Sequence, residues 1–224
     1  DWALFFMGLA TINILYGSFA AIRQKDLKYF TAYSSVSHCG IVLFGVASLN
    51  LLGFKGAVLQ MLSHGIMTGL FFSLIGMVYG RTHTRMIPEM GGLAKVMPWL
   101  AACFYIGGLA SLGLPGLAGF VAESHVFMGG FFGNPWQPVA TMRWMTVCAA
   151  MSIVVTAVYV LRGLGQVFFG PVADPTHLPL TDARFTEKLT TAILIACLLF
   201  VGVFPGFLID LIEPAIQPLL GRLR

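Results

Sequence analysis

Residues 113–123, with the sequence GLPGLAGFVAE, decide how this chain is interpreted. Glycines and a proline interrupt an apolar segment there, and a glutamate follows them. A broken helix at bilayer depth is tolerated only where it is buried in protein or lines a cavity. A carboxylate at that depth is costly, so it usually serves ion or proton movement. The stretch therefore predicts a discontinuous transmembrane helix that carries a functional acid, Glu123.

The composition is that of a polytopic membrane protein. Of the 224 residues, 58% are hydrophobic and 10% are charged, and the mean hydropathy is +0.86. Such a composition excludes a soluble domain. The net charge of +4 is small and fits basic loops at a membrane surface rather than nucleic-acid binding. Four isolated cysteines without a CxxC spacing argue against metal or iron–sulfur ligation.

The apolar runs predict an all-α membrane protein with about six transmembrane helices. A straight span needs about 20 residues, and the fourth and fifth runs are longer than that. The fourth run contains the glycine cluster and is expected to form two half-helices, whereas the fifth is expected to be tilted or to extend beyond the bilayer. The predicted spans are 2–22, 29–51, 54–79, 98–132, 139–169 and 189–212.

Basic residues are concentrated in alternate loops. Nine of them fall on one side of the predicted membrane and four on the other. The positive-inside rule places the more basic side in the cytoplasm or matrix, so the chain is expected to begin and end on the opposite side. The nine are Arg23, Lys25, Lys28, Arg81, Arg85, Lys95, Arg162, Arg184 and Lys188, and the four are Lys55, Arg143, Arg222 and Arg224.

Two histidines lie near the middle of other apolar runs. His38 is nine residues into the run 29–51, and His64 is ten residues into the run 54–79, which enters from the other side. Because a helix rises about 1.5 Å per residue, they lie about 14 Å and about 15 Å deep. Half of the hydrocarbon core is also about 15 Å thick. Both imidazoles are therefore expected to meet at the midplane.

The polar residues around these histidines follow helical spacing. Imidazoles and buried carboxylates can both exchange protons near neutral pH, so the pattern predicts a proton path. The alternative is that each polar residue only bonds a neighbouring helix, or that Glu123 forms a structural salt bridge. His125 lies on another face from Glu123, where a structural and a relay role both remain open, and topology alone explains Lys28 at the membrane edge. The two polar faces comprise Thr31, Ser34, Ser35 and His38, and Gln60, His64 and Thr68.

Several motifs resemble the antiporter-like proton-pumping subunits of respiratory complex I. They are QKDLK at 24–28, AYSSVSHCG at 32–40, GAVLQMLSHG at 56–65, and RTHTR at 81–85 followed by Gly91-Gly92-Leu93. The resemblance runs from about residue 23 to residue 170. In that family the residue after the Gly/Pro break is lysine in some subunits and glutamate in the type called NuoM in bacteria and NdhD in plastids and cyanobacteria. Glu123 therefore points to the NuoM-like type.

The resemblance implies a fold and a set of site residues. The family has two inverted five-helix repeats, and this chain would hold the second in residues 1–170. A loop at 171–186 would follow, and then a final transmembrane helix with a short tail at 187–224. The implied proton channel residues are His38, His64 and Glu123, with support from Ser34, Gln60, Gly113, Pro115 and Gly116, while Lys28 and His125 remain uncertain.

The resemblance also implies partners and a location. The chain would be a non-redox subunit of a proton-translocating NADH:quinone oxidoreductase, with no catalytic site, metal or cofactor of its own. Flavin mononucleotide (FMN), iron–sulfur clusters and quinone would belong to other parts of the complex. The expected partners are the other membrane-arm subunits, including adjacent antiporter-like ones, together with the lipid bilayer and the missing N-terminal repeat. The expected location is the bacterial inner membrane, with the thylakoid and mitochondrial inner membranes as alternatives.

One departure from the family pattern limits what the chain would do alone. The first repeat supplies a glutamate–lysine pair and a connecting lysine, and this sequence begins at about the ninth helix. The chain would therefore carry the exit half of a proton channel. The alternatives are a Mrp-type cation/proton antiporter subunit, an arm subunit of a membrane hydrogenase, and a scaffold that lost its entry half.

Overall fold

The computed structural model describes residues 2–134 and 137–222, and these residues form a bundle of α-helices. The predicted fold class, an all-α membrane protein, is confirmed. Short connections separate most neighbouring helices, and short 3-10 turns lie in the two longest ones. The helices are α1 (Trp2–Ile22), α2 (Leu27–Ala47), α3 (Leu51–Thr82), α4 (Pro98–Ser111), α5 (Ala118–Phe132), α6 (Val139–Phe168), α7 (Phe185–Val203) and α8 (Pro205–Arg222).

Two of the helix starts are fixed by side-chain caps. The Asp26 side chain accepts a hydrogen bond from the backbone N–H of Lys28 at the start of α2. The Asn50 side chain accepts one from Gly53 at the start of α3. Such caps satisfy backbone donors that have no partner within the helix, and each typically contributes about 1 kcal/mol. They fix where the two histidine-bearing helices begin, and hence the depth of each imidazole.

Five of these helices are long and apolar enough to cross a membrane, namely α1, α2, α3, α6 and α7. The helices α4 and α5 have 14 and 15 residues, so neither can span a hydrocarbon core of about 30 Å. Together they occupy the run that was predicted to be a broken span. Four of the six predicted spans thus correspond to single helices, namely α1, α2, α3 and α6, and the fourth run is broken as predicted.

The boundaries predicted for the last span, 189–212, are wrong. The helix α7 ends at Val203 and α8 begins at Pro205. Proline has no N–H to continue a helix and disfavours helical geometry in the preceding residue, so Phe204 leaves the helix with φ −119° and ψ 55°. Up to Arg222, the residues expected to form a short tail lie in α8, a helix of 18 residues.

Hydrogen bonds tie the loops of the more basic side into one layer. Ile87 N donates to Lys25 O at 2.7 Å, which joins the α1–α2 and α3–α4 loops. Gly92 N donates to Phe169 O at 3.0 Å, which joins the α3–α4 and α6–α7 loops. These three loops are the ones whose basic residues predicted a common side, so their predicted grouping is confirmed.

On the opposite side, the side chain of Asn50 joins two connections between helices. Asn50 Nδ2 donates to Gly129 O at 2.7 Å and to Gly133 O at 3.2 Å. These bonds join the α2–α3 turn to the α5–α6 connection. Of the basic residues assigned to this side, Arg224 lies outside the described residues.

Glycines let α3 and α5 approach until their backbones touch. A Cβ on Gly56 would lie 2.5 Å from Val126 N, and a Cβ on Gly129 would lie 2.5 Å from Gly53 N. Small residues allow this kind of close helix packing in membranes, where association relies on van der Waals contact. The contact fixes α5, which carries Glu123, directly against α3, which carries His64.

Candidate functional site

The site is organised by the break between α4 and α5. The first half-helix ends at Ser111 and the second begins at Ala118. Between them Gly113 has φ +66° and Gly116 has φ +91°, which side-chain-bearing residues rarely adopt. Pro115 lies between these two glycines. The break was predicted from this stretch, and the structure places it there.

Glu123 lies in the first two turns of the second half-helix and is buried, with 6% exposure. Its Oε1 is 3.6 Å from His38 Nδ1. A Cβ added to Gly113 would meet Glu123 Oε2 at 2.7 Å, so the glycine lets the carboxylate lie against the broken backbone. Glu123 forms no ion pair with a lysine or arginine among residues 2–134 and 137–222. Among the described residues the nearest basic group to Glu123 is thus the imidazole of His38.

His38 is enclosed by several helices. Its Nδ1 is 3.0 Å from Gln60 Nε2 on α3, and its Nε2 is 3.1 Å from Ser111 Oγ at the end of α4. Because an amide nitrogen only donates, Nδ1 accepts from Gln60 and Nε2 donates to Ser111. The Gln60 Oε1 atom is buried without a hydrogen-bond partner in the part of the chain that the structure describes. A half-turn of this amide would offer Nδ1 an acceptor, so Gln60 can serve both protonation states of the ring.

His64 stacks on His38, with ring centroids 5.3 Å apart and planes 29° apart. The predicted meeting of the two imidazoles is confirmed. The polar partner of His64 is Thr68 Oγ1, at 3.3 Å on the same helix. His64 is half-buried, whereas His38 is only 4% exposed.

Other predicted residues stand apart from this centre. Lys28 is exposed at the start of α2, ten residues before His38, so the structure does not bring it to the site. His125 Nδ1 bonds Val121 O at 2.7 Å, within its own helix. Ser34 lies one turn from His38 and bonds the Tyr159 hydroxyl at 2.8 Å instead of the imidazole.

Four hydroxyl residues that the sequence motifs do not predict surround the site. Ser111 bonds His38, and a cavity of about 10 Å³ beside Glu123 is lined by Ser111, Ser152 and Thr156. Tyr159 follows one turn later and is buried. A signal existed on α6, where small and polar residues recur at helical spacing and are all buried in the structure. These are Thr146, Ala149, Ser152, Thr156, Tyr159 and Gly163.

The arrangement is suited to moving protons. It holds one acid, two stacked imidazoles, an amide and several hydroxyls inside apolar helices, and all of these groups can accept and donate hydrogen bonds. No three His, Cys, Asp or Glu side chains are placed to hold a metal ion in residues 2–134 and 137–222.

Comparison with known proteins agrees with the resemblance of the motifs. Residues 1–156 match the family model described as NADH:quinone oxidoreductase/Mrp antiporter, TM. A protein from Trichormus variabilis named NAD(P)H-quinone oxidoreductase chain 4 1 is 39% identical over 219 residues, covering 96% of this chain and 41% of the relative. Its counterpart in Acaryochloris marina is 37% identical over 218 residues, with the same coverage. The chain thus spans about two fifths of the length of these relatives.

Solved structures show the same fold. A chain of respiratory complex I from Thermus thermophilus matches with a TM-score of 0.89 and 31% identity, covering 98% of this chain and 44% of that one. A chain of an archaeal membrane-bound sulfane sulfur reductase matches at 0.84 with 27% identity, covering 94% and 34%. A chain of the Mrp complex from Dietzia matches at 0.81, but with 19% identity it shows the fold alone. On the family model, the curated relatives and the shared fold together, the chain belongs to the NADH:quinone oxidoreductase/Mrp antiporter transmembrane family.

Proposed function

We propose that this protein translocates protons as a membrane-arm subunit of an NADH:quinone oxidoreductase or a related respiratory complex. The observation that carries the proposal is Glu123, a buried acid just after a helix break, 3.6 Å from an imidazole. Ionisable groups within membrane spans are costly to keep, and they mark ion and proton pathways. The names of the curated relatives support membership of such a complex.

The contacts around His38 support proton transfer to and from Glu123. His38 lies between the acid, the amide of Gln60 and the hydroxyl of Ser111. A proton taken up at one ring nitrogen can leave from the other, which is how imidazoles relay protons. Protons would move from His64 through His38 to Glu123, or in the reverse order.

Electron transfer would take place elsewhere in the complex. FMN, iron–sulfur clusters and quinone would be bound by other subunits, and energy would reach this chain as a conformational or electrostatic change along the membrane arm. The partners in this proposal are the adjacent antiporter-like subunits and the first helix repeat. The membrane would be the bacterial inner membrane.

A second candidate is favoured by the match to the sulfane sulfur reductase, which is described as an archaeal respiratory membrane complex. In this case the chain would work in the arm of a complex with another electron-transfer module, such as a hydrogenase. Purification of the intact complex, followed by mass spectrometry of its subunits, separates the two. An NADH-oxidising module supports the first candidate, and a nickel-containing protein supports the second.

The test of the proton role is Glu123→Gln in the complete complex. The amide keeps the size of the side chain but cannot carry a proton, so the ratio of protons pumped to electrons transferred should fall while the complex still assembles. Glu89→Gln, at an exposed acid in the α3–α4 loop, is the matched control and should leave that ratio unchanged. An unaltered ratio in Glu123→Gln would refute the proposal.

A further inference from the structure

Three neighbouring spaces lie between the candidate site and the side of the basic loops. The largest is a cleft of about 420 Å³ between the α1–α2 loop, the α3–α4 loop and α6. Its lining includes Gln24, Lys25, Arg162 and Gln166, and it reaches inward to Tyr159. Charged and amide side chains are costly to bury without water, so the cleft is expected to be hydrated.

Tyr159 stands at the inner end of this cleft. It is only 2% exposed, and its ring packs edge-on against Phe30, with centroids 5.3 Å apart. Its hydroxyl is 2.8 Å from Ser34 Oγ, and the side chains of Ser111 and Thr156 also lie near it. The hydroxyl therefore faces the interior of the bundle, while other parts of the residue line the cleft.

Two small cavities lie inward of Tyr159. The first, of about 10 Å³, is lined by Ser34, Tyr159 and Ser111 among others. The second, also of about 10 Å³, is lined by Ser111, His38 and Glu123 among others. Each has room for about one water molecule and offers it several polar neighbours. Ser111 lines both cavities, and Tyr159 lines both the first cavity and the cleft, so each space shares a lining residue with the next.

Polar groups follow one another along the same route. The Tyr159 hydroxyl neighbours Ser111, Ser111 Oγ is 3.1 Å from His38 Nε2, and His38 Nδ1 is 3.6 Å from Glu123 Oε1. A hydroxyl can accept one hydrogen bond while it donates another. When Tyr159 passes its proton to one neighbour and takes one from the other, its O–H bond is restored and no charge remains on it.

We propose that the cleft is the aqueous entrance through which His38 and Glu123 exchange protons with the basic-loop side, and that Tyr159 is the relay residue between them. This inference rests on the proposed function and adds to it the side and the route of proton exchange. By the positive-inside rule this side is the cytoplasm or matrix. The second repeat therefore has its own connection to that side, in addition to any exit on the other.

The first test is Tyr159→Phe in the complete complex, with Tyr105→Phe as the matched control. Both changes remove one hydroxyl. The Tyr105 ring, however, packs against Phe168 and Phe169 and is not part of the proposed route. The proton-to-electron ratio should fall in Tyr159→Phe to about that of Glu123→Gln, because a positioned proton-transfer group is lost. The rate of quinone reduction by the uncoupled complex should stay near that of the wild type, which a merely structural loss would not allow.

Glu123→Gln measured in parallel separates this inference from the proposed function. If Glu123→Gln stops pumping and Tyr159→Phe leaves it unchanged, the entrance is wrong and the proposed function stands. If neither variant changes the ratio, the proposed function itself is wrong.

The second test does not depend on how well Tyr159→Phe folds. Gln166→Cys is made in a background in which Cys39, Cys103, Cys148 and Cys197 are replaced by alanine, and sealed vesicles are treated with a charged, membrane-impermeant methanethiosulfonate. The thiol should react from the basic-loop side, and its modification should inhibit pumping. A thiol that reacts only from the opposite side or does not react, or one whose modification leaves pumping intact, overturns the inference.

Discussion

His38 and His64 stack on each other, yet the surroundings of the two rings differ. His38 is held by Gln60 of α3 and Ser111 of α4 and lies against Glu123 of α5. His64 bonds Thr68 of its own helix and is half-buried. Next to it, a Cβ on Gly65 would meet no other atom within 4 Å, so this face of α3 is open. One imidazole is thus enclosed by the chain, and the other lies at the edge of the bundle.

This difference shows which part of the site the chain determines by itself. The groups in contact around His38 come from four helices, α2 to α5. The geometry around this ring therefore depends on contacts within the chain. Ionisable side chains in membrane spans almost always face protein or a water-filled cavity rather than lipid. We therefore expect the open face of α3 at His64 to pack against protein beyond this chain, and the role of His64 to depend on that contact.

The largest effect should come from replacing each histidine in turn. His38→Gln should reduce proton pumping to background, because it removes the ring that contacts both Ser111 and Glu123. His64→Gln should retain a measurable part of the pumping, since Glu123, His38 and the hydroxyl series remain. The measurement is the proton-to-electron ratio of each variant complex in sealed vesicles.

His125→Gln is the matched control for this pair, because His125 lies two residues from Glu123 but bonds only Val121 O of its own helix. It should pump at the wild-type ratio. Equal losses in His38→Gln and His64→Gln would show that enclosure does not distinguish the two rings. A loss in His125→Gln would give that residue the relay role left open by the sequence.

A smaller effect on pumping is expected from changing the break between α4 and α5, which lies against Glu123. Gly113→Ala should destabilise the protein, because its φ of +66° costs a side-chain-bearing residue about 1–2 kcal/mol. The new Cβ would also meet Glu123 Oε2 at 2.7 Å and displace the carboxylate from His38. We expect a lower midpoint of thermal unfolding together with a reduced proton-to-electron ratio.

Gly116→Ala separates backbone strain from displacement of the acid. Gly116 also has positive φ, at +91°, but a Cβ there would have no neighbour within 4 Å. Its variant should lose thermal stability without losing pumping per electron. If Gly113→Ala and Gly116→Ala pump equally well, the contact between Gly113 and the Glu123 carboxylate does not affect pumping.

The sequence predicted the parts of the fold and site that depend on local spacing. The helix break, the meeting of His38 and His64, and the common side of alternate loops all follow from composition and from a fixed rise per residue. The boundary between α7 and α8 was missed because an apolar run continues through Phe204. Only the local effect of Pro205 on the helix reveals that boundary, and hydropathy does not register it.

The hydroxyl residues could not be predicted in the same way. Ser34 and Tyr159 share a hydrogen bond although 125 residues separate them, and no local pattern pairs two such positions. Serine and threonine are also ordinary residues in membrane spans, where they bond their own backbone, as Thr146 does with Met142 O. The buried stripe on α6 shows which of its faces is internal, but the partner of each hydroxyl follows only from how the helices pack.

The smallest effect is expected at an ion pair outside the site, between Lys55 and Glu213. Lys55 Nζ lies 2.6 Å from Glu213 Oε2, where α3 meets α8 at the edge of the bundle. The hydrogen bond from Lys55 lowers the pKa of Glu213 below its ordinary value of 4.5. A lowered pKa in the folded state means that the pair contributes its stability above pH 4.5 and loses it as the pH falls through the lowered value.

Lys55→Met should therefore lower the thermal midpoint slightly near neutral pH, since a pair that is only partly buried contributes little. The gap between variant and wild type should close as the pH falls below 4.5 and through the lowered pKa of Glu213, because Glu213 then becomes protonated in both proteins. A gap that stays constant over this range would show that Lys55 acts through packing of its aliphatic chain rather than through the pair. Pumping per electron should be unchanged in Lys55→Met. Glu213 is paired with a lysine at the bundle edge and has no proton to exchange near neutral pH. Glu123, by contrast, has an imidazole as its nearest basic group.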